Sequence, residues 1–170
     1  MKTNSLSAAC GSVTALLLSV LLIQQANAQT AASTNTAIIP VPKLENDSYN
    51  WYERHEEILA VRKRINPQIV MIGDSITHFW GGEPKANHQN GPNAWKAAFG
   101  DRRVLNMGFG WDRTQNVLWR LDNGEFDGLH PKYVVLNIGT NNFSGTGNSR
   151  ESTPAEVAEA IKAICARLNA

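Results

Sequence analysis

Three short apolar runs, residues 69–72, 103–107 and 133–138, constrain this chain more than any other feature. Each stops at a glycine: Gly73, Gly108 and Gly139. Apolar runs of this length, bounded by turn signals and rich in β-branched residues, predict strands buried on both faces of a parallel sheet. Helical patterns separate them. Trp51, Tyr52, Ile58, Leu59 and Ile65 share one helix face, and residues 93–99 give a shorter helix. Residues 114–121 carry Val117, Leu118 and Leu121 on one side. In the last segment Thr153 is placed to cap, Pro154 to open the helix and Glu156 to complete a capping box. Val157, Ala160, Ile161, Ile164 and Leu168 then form an apolar stripe.

This alternation predicts an α/β fold, a three-layer α/β/α sandwich with a parallel sheet and right-handed crossovers. Ligands bind such sheets beyond the carboxyl ends of the strands. The three terminal glycines and the polar residues after them are therefore expected on one edge. No strand pattern follows the final helix, so the domain reads as truncated after its third strand and following helix.

The N-terminus reads as an export signal over residues 1–28. Lys2 is its positive end, residues 13–23 are its apolar stretch, and Ala26-Asn27-Ala28 predicts cleavage after Ala28. Eleven apolar residues are too few for a span of about twenty. No stable membrane span is expected after cleavage, and the protein is expected to be secreted or periplasmic. Residues 29–45 read as a linker and 46–170 as the N-terminal part of the domain. Removing Lys2 takes Lys+Arg from 16 to 15, against 15 Asp+Glu. A neutral chain without a basic run gives no reason to expect nucleic acid or an anionic membrane as partner. Cys165 is the one cysteine after the signal, which excludes a disulfide scaffold. It reads as a small buried hydrophobe.

Polar residues follow each strand. After the first comes Gly73-Asp74-Ser75-Ile76-Thr77. A serine at a strand-to-helix turn suits a nucleophile, and it equally suits a plain helix cap. After the second comes Gly108-Phe109-Gly110, where a backbone N–H is placed to donate to an oxyanion, or where a turn needs positive φ. After the third comes Gly139-Thr140-Asn141-Asn142, offering a side-chain amide or an Asx turn. The three signals fall in order on one expected edge.

Together, Ile72-Gly73-Asp74-Ser75-Ile76-Thr77, Asn106-Met107-Gly108 and Gly139-Thr140-Asn141-Asn142 resemble the SGNH (GDSL-type) hydrolases. The stretch 110–121 with Asn123-Gly124-Glu125 resembles the platelet-activating-factor acetylhydrolase catalytic-subunit branch. The resemblance covers roughly residues 50–170. It implies a flavodoxin-like SGNH fold and a serine-dependent carboxyl-ester hydrolase working through an acyl-serine intermediate. Small acyl esters or acetylated carbohydrate are the implied substrates. Ser75 would be the nucleophile and an oxyanion N–H donor, Gly108 a second N–H donor, and Asn141 a side-chain donor. No cofactor and no metal is implied. Trp111 and Asp112 are candidate substrate-binding residues; Trp111 and Trp80 read as a substrate wall or as plain packing, and Asp112 and Arg113 as lining the cleft or pairing with neighbours on the surface.

The family's general base is a histidine in a C-terminal Asp-x-x-His block. The expectation is that this chain lacks that block, and with it the triad Asp and His. Its histidines are His55, on the first helix; His78, three residues after Ser75; His88, in a polar loop; and His130, before the third strand. A serine without a base is a weak nucleophile, so the chain alone is expected to be nearly inactive. A non-catalytic, SGNH-like binding module is the alternative. A nucleotide-binding α/β domain, suggested by Gly108-x-Gly110, lacks the rest of its fingerprint.

Overall fold

The computed structural model describes residues 34–170. The expected signal, its cleavage site and the first part of the expected linker lie outside the described residues. The three apolar runs form strands β1 (Ile69–Gly73), β2 (Val104–Gly108) and β3 (Tyr133–Asn137). All three pair in parallel, in the order β2-β1-β3. Ile69 lies beside Val104 and Tyr133, and Gly73 lies beside Gly108 and Asn137. The strands therefore end level, and the loops after them leave the sheet side by side.

Five helices accompany the sheet: α1 (Trp51–Ile65), α2 (Ser75–His78), α3 (Pro92–Phe99), α4 (Thr114–Asp122) and α5 (Pro154–Leu168). Asn50 caps α1 by accepting from the N–H groups of Tyr52 and Glu53. The expected capping box of α5 forms. Thr153 Oγ1 accepts from Glu156 N at 3.3 Å, and Glu156 Oε2 accepts from Thr153 N at 2.8 Å.

The strand order explains the layers. From β1 the chain moves to one side to reach β2, then crosses back over β1 to reach β3. Right-handed crossovers travelling in opposite directions place their helices on opposite faces. One face carries Val70, Ile72, Leu105 and Met107, packed with Trp51 and Ile58 of α1, Val117 and Leu118 of α4 and Ile164 of α5. The other face is covered by the β1–β2 connection, whose backbone carbonyls at Thr77 and Gly81 accept from the Asn106 amide. The direction of travel reverses at β1. The crevice between the carboxyl ends of β1 and β3 is the place where such sheets bind ligands.

Four expectations change. β1 and β2 are buried, but β3 is not buried on both faces: Tyr133 is 57% exposed and Val135 44%. It pairs only with β1 among the described residues. Tyr52 leaves the expected apolar face of α1, where Arg54 and His55 are buried instead. Cys165 is exposed rather than buried. Residues 35–45 are no linker. Ala37 is fully buried, and the Ala37 and Val41 carbonyls accept from Thr114 Oγ1 and Asn116 Nδ2 of α4. This docking uses backbone oxygens, so it leaves no hydrophobic period in the sequence. Among the described residues, no helix is long and apolar enough to cross a membrane.

Candidate active site

Ser75 is the first residue of α2, immediately beyond the end of β1. Asp74, not Ser75, caps that helix: its Oδ1 accepts from Ile76 N at 2.9 Å. That separates the two sequence readings of the serine. The half-buried Ser75 hydroxyl makes no hydrogen bond within the described residues.

The β2 end is packed against α2. A Cβ on Gly108 would lie 2.3 Å from the His78 nitrogen, so only glycine fits there. The expected role of Gly108 as an oxyanion donor fails on this geometry. Its N–H already donates to Asn106 Oδ1 at 2.8 Å, and its carbonyl accepts from Arg54 Nε at 2.7 Å. Both polar groups of Gly108 are occupied in building the strand end.

The residues after it are held one by one. Phe109 N donates to Gly73 O at 3.0 Å, joining this loop to the one before Ser75. Gly110 N donates to His78 Nδ1 at 3.1 Å, and Gly110 O accepts from Lys43 Nζ at 3.1 Å and the Tyr49 hydroxyl at 3.0 Å. Trp111 breaks the pattern: its N–H meets no acceptor among the described residues, and its backbone sits at φ +60°. That is the left-handed region, which a bulky residue rarely adopts. Asp112 is anchored again, its carboxylate accepting from Trp51 Nε1 at 2.7 Å and Arg120 Nε at 2.9 Å.

Asp112 therefore does not bind substrate through its carboxylate, which is wholly buried. Burial pushes that carboxyl up to about 6, against the pull of Arg120. Its carbonyl accepts from Asn141 Nδ2 at 2.9 Å. This contact ties the β3 loop to the β2 loop beside Trp111. An amide nitrogen has two N–H groups, so Asn141 keeps one to offer. Arg113 is buried too, donating to Ser144 O at 2.6 Å. Trp80 packs with Trp95 and Phe99 rather than standing as a bare wall.

None of the four histidines among the described residues makes a hydrogen bond to Ser75. Burial, reinforced by nearby Arg54, drives His78 down to about 2. It is neutral, and its Nδ1 is occupied by Gly110. His55 is buried, with Nδ1 2.8 Å from Glu125 Oε1. His88 stacks on Phe79, with ring centroids 4.1 Å apart. The expectation about the missing block needs a correction: an Asp-x-x-His spacing is present, at Asp127-Gly128-Leu129-His130. It precedes β3, at the amino edge of the sheet, whereas Ser75 follows β1 at the carboxyl edge. A five-residue strand, roughly 13 Å from first to last Cα, separates the two edges. Both residues are exposed there, and the pair cannot act as base and orienting acid for Ser75.

Residues 71–170 match the GDSL-like lipase/acylhydrolase family. The chain belongs to that family. Its similarity to the platelet-activating factor acetylhydrolase IB subunits extends further toward the N-terminus. The alpha1 subunit of Rattus norvegicus is 37% identical over 130 residues, 76% of this chain and 49% of that protein. The alpha1 subunit of Homo sapiens is 36% identical over the same length. The Homo sapiens alpha2 subunit is 32% identical over 138 residues, 80% of this chain and 53% of that protein. The chain spans about half the length of these curated relatives.

The geometry adds residues that motif reading passed over. A buried network runs from Asp112 through Arg120 to Glu125 and His55. The Arg120 guanidinium also lies 3.9 Å from the centre of the Phe109 ring. Its sequence signal was present in the stretch 110–125, which carries the family resemblance. Lys43 left no signal, because it lies in a segment that reads as a linker.

Proposed function

We propose that this chain carries the nucleophile and oxyanion side of a serine-dependent carboxyl-ester hydrolase. The observation that carries the reading is the capping of α2 by Asp74, which leaves Ser75 unbonded at the carboxyl edge. Ser75 Oγ attacks the ester carbonyl, the alcohol leaves, and water later releases the acyl group from the serine. The developing oxyanion accepts from the Asn141 amide and from backbone N–H groups. Trp111 N–H takes the part that the sequence assigned to Gly108, because it is unengaged and joins directly to the residue that Asn141 holds. Donors of this kind are worth roughly 3–4 kcal/mol each. Short acyl esters, acetyl esters among them, are the proposed substrates. The names of the acetylhydrolase relatives support this choice. A fluorophosphonate probe is expected to label Ser75 over hours and to leave Ser75→Ala untouched. A folded chain that never labels, or labels equally after Ser75→Ala, would sink the reading.

Export belongs to the same proposal, supported by the signal pattern of residues 1–28. Expressed whole in a Gram-negative host, the chain is expected in the periplasm, beginning at Gln29. Intact-mass measurement checks this, and a cytoplasmic product that keeps residues 1–28 overturns it.

A further inference from the structure

We infer that the Trp111 indole is a substrate-stacking wall that selects esters carrying a six-membered ring, aryl or pyranose; this rests on the ester-hydrolase reading of the site. The chain has five tryptophans. Trp51, Trp80, Trp95 and Trp119 each pack against other rings. Trp111 makes no ring contact among the described residues and is 60% exposed. Its large side chain therefore contributes little to the core.

Its backbone nevertheless sits at φ +60°, where glycine is at ease and a bulky residue is strained. The strain is held from both sides. Lys43, Tyr49 and His78 fix Gly110, while Trp51, Arg120 and Asn141 fix Asp112. A glycine here would offer the same N–H without strain. Only the indole distinguishes the tryptophan, and backbone strain held by its surroundings is a pointer to function.

The neighbourhood suits an apolar ring. Ile76, next to Ser75, is 65% exposed, and Phe143, two residues after Asn141, is 49% exposed. Each of the three strand-end loops thus presents one large apolar side chain on the edge that carries Ser75. An aromatic ring meets an indole face in an offset stack or edge-on, and a pyranose chair lays a face of C–H groups against it. An open-chain group of similar size covers less of it.

Three acetyl donors test the idea: phenyl acetate, methyl 6-O-acetyl-glucopyranoside and, as the ringless control, trifluoroethyl acetate. Acetylation of Ser75, with imidazole supplied as the base, is followed by intact mass on the full chain, in wild type, Trp111→Gly and Trp111→Phe. The ratio of ring-donor to control rate is expected to fall about three- to tenfold in Trp111→Gly, the range of one aromatic contact. Trp111→Phe is expected to retain most of the ratio. A ratio unchanged in Trp111→Gly overturns the inference. Equal acetylation of Ser75→Ala by all donors overturns instead the ester reading on which it rests.

A binding measurement needs no turnover. The Trp111 indole N–H resonance, assigned by its loss in Trp111→Gly, is expected to move with at least one ring donor and less with the control. Which ring donor moves it distinguishes an aryl from a sugar ring. An indole resonance that moves with neither overturns the inference.

Discussion

Assayed on 4-nitrophenyl acetate, the purified 170-residue chain is expected to turn over at nearly the rate of its Ser75→Ala variant. A triad serine owes its reactivity to a histidine that removes its proton and later hands it to the leaving group. Here His78, close in sequence, is neutral and occupied as an acceptor from Gly110. His130 lies at the opposite edge of the sheet, and His55 is turned into a buried pair with Glu125. Losing the serine or the histidine of a comparable triad costs on the order of a millionfold in turnover. The oxyanion donors alone preserve roughly a thousandfold over water, so residual activity is expected to be small and not zero. Added imidazole sharpens the measurement. As a base from solution it can take the Ser75 proton, so the Ser75-dependent rate is expected to rise with imidazole concentration, after subtraction of the Ser75→Ala background. A wild-type rate a thousandfold above Ser75→Ala without imidazole would mean that some group here already acts as base.

The sheet was legible because its strands are short, apolar and each closed by a glycine. In β1 and β2, burial on both faces removes the alternation that would otherwise mislead. The site was legible as a set of positions, since aligned parallel strands must release Ser75, Trp111 and Asn141 onto one edge. Which group on each loop is free was not legible. Gly108 looked like a donor because glycine permits close approach, yet the close approach is to the His78 backbone and the N–H is filled by Asn106. Asp112 looked like a cleft residue because it follows the glycines. The network that buries it spans Trp51 to Glu125, and no local pattern links positions so far apart. Residues 35–45 looked like a linker because they are small, polar and Pro-punctuated, and part of their docking is through carbonyls, which every sequence has. The Asp127–His130 spacing shows the converse error: a motif can be present and mean nothing until the fold says which edge it occupies.

Replacing Arg120 with methionine is expected to destabilise the domain by about 3–5 kcal/mol, the cost of removing one partner from a buried ion pair. Arg120 is fully buried and is the only cation bonded to both Asp112 and Glu125 among the described residues. Methionine supplies similar bulk but leaves both carboxylates without it. Trp51 still donates to Asp112, and His55 still meets Glu125. Those contacts soften the loss without matching a guanidinium. Against a typical stability of about 5–15 kcal/mol, the variant is left near the unfolding threshold. Urea melts of wild type and Arg120→Met measure the difference directly. A loss under about 1 kcal/mol would mean that water reaches the network and screens it. Adding Glu125→Gln to Arg120→Met is expected to recover part of the loss, because a neutral amide is cheaper to bury than an unpaired carboxylate. Buried pairs of this kind are not required for stability as such, since apolar replacements of whole pairs are often neutral. What this one does is hold Asp112, whose carbonyl holds Asn141. Among molecules that remain folded, Arg120→Met is therefore expected to label more slowly at Ser75 than wild type. Unchanged labelling would reduce Arg120 to a stabilising residue with no hold on the oxyanion side.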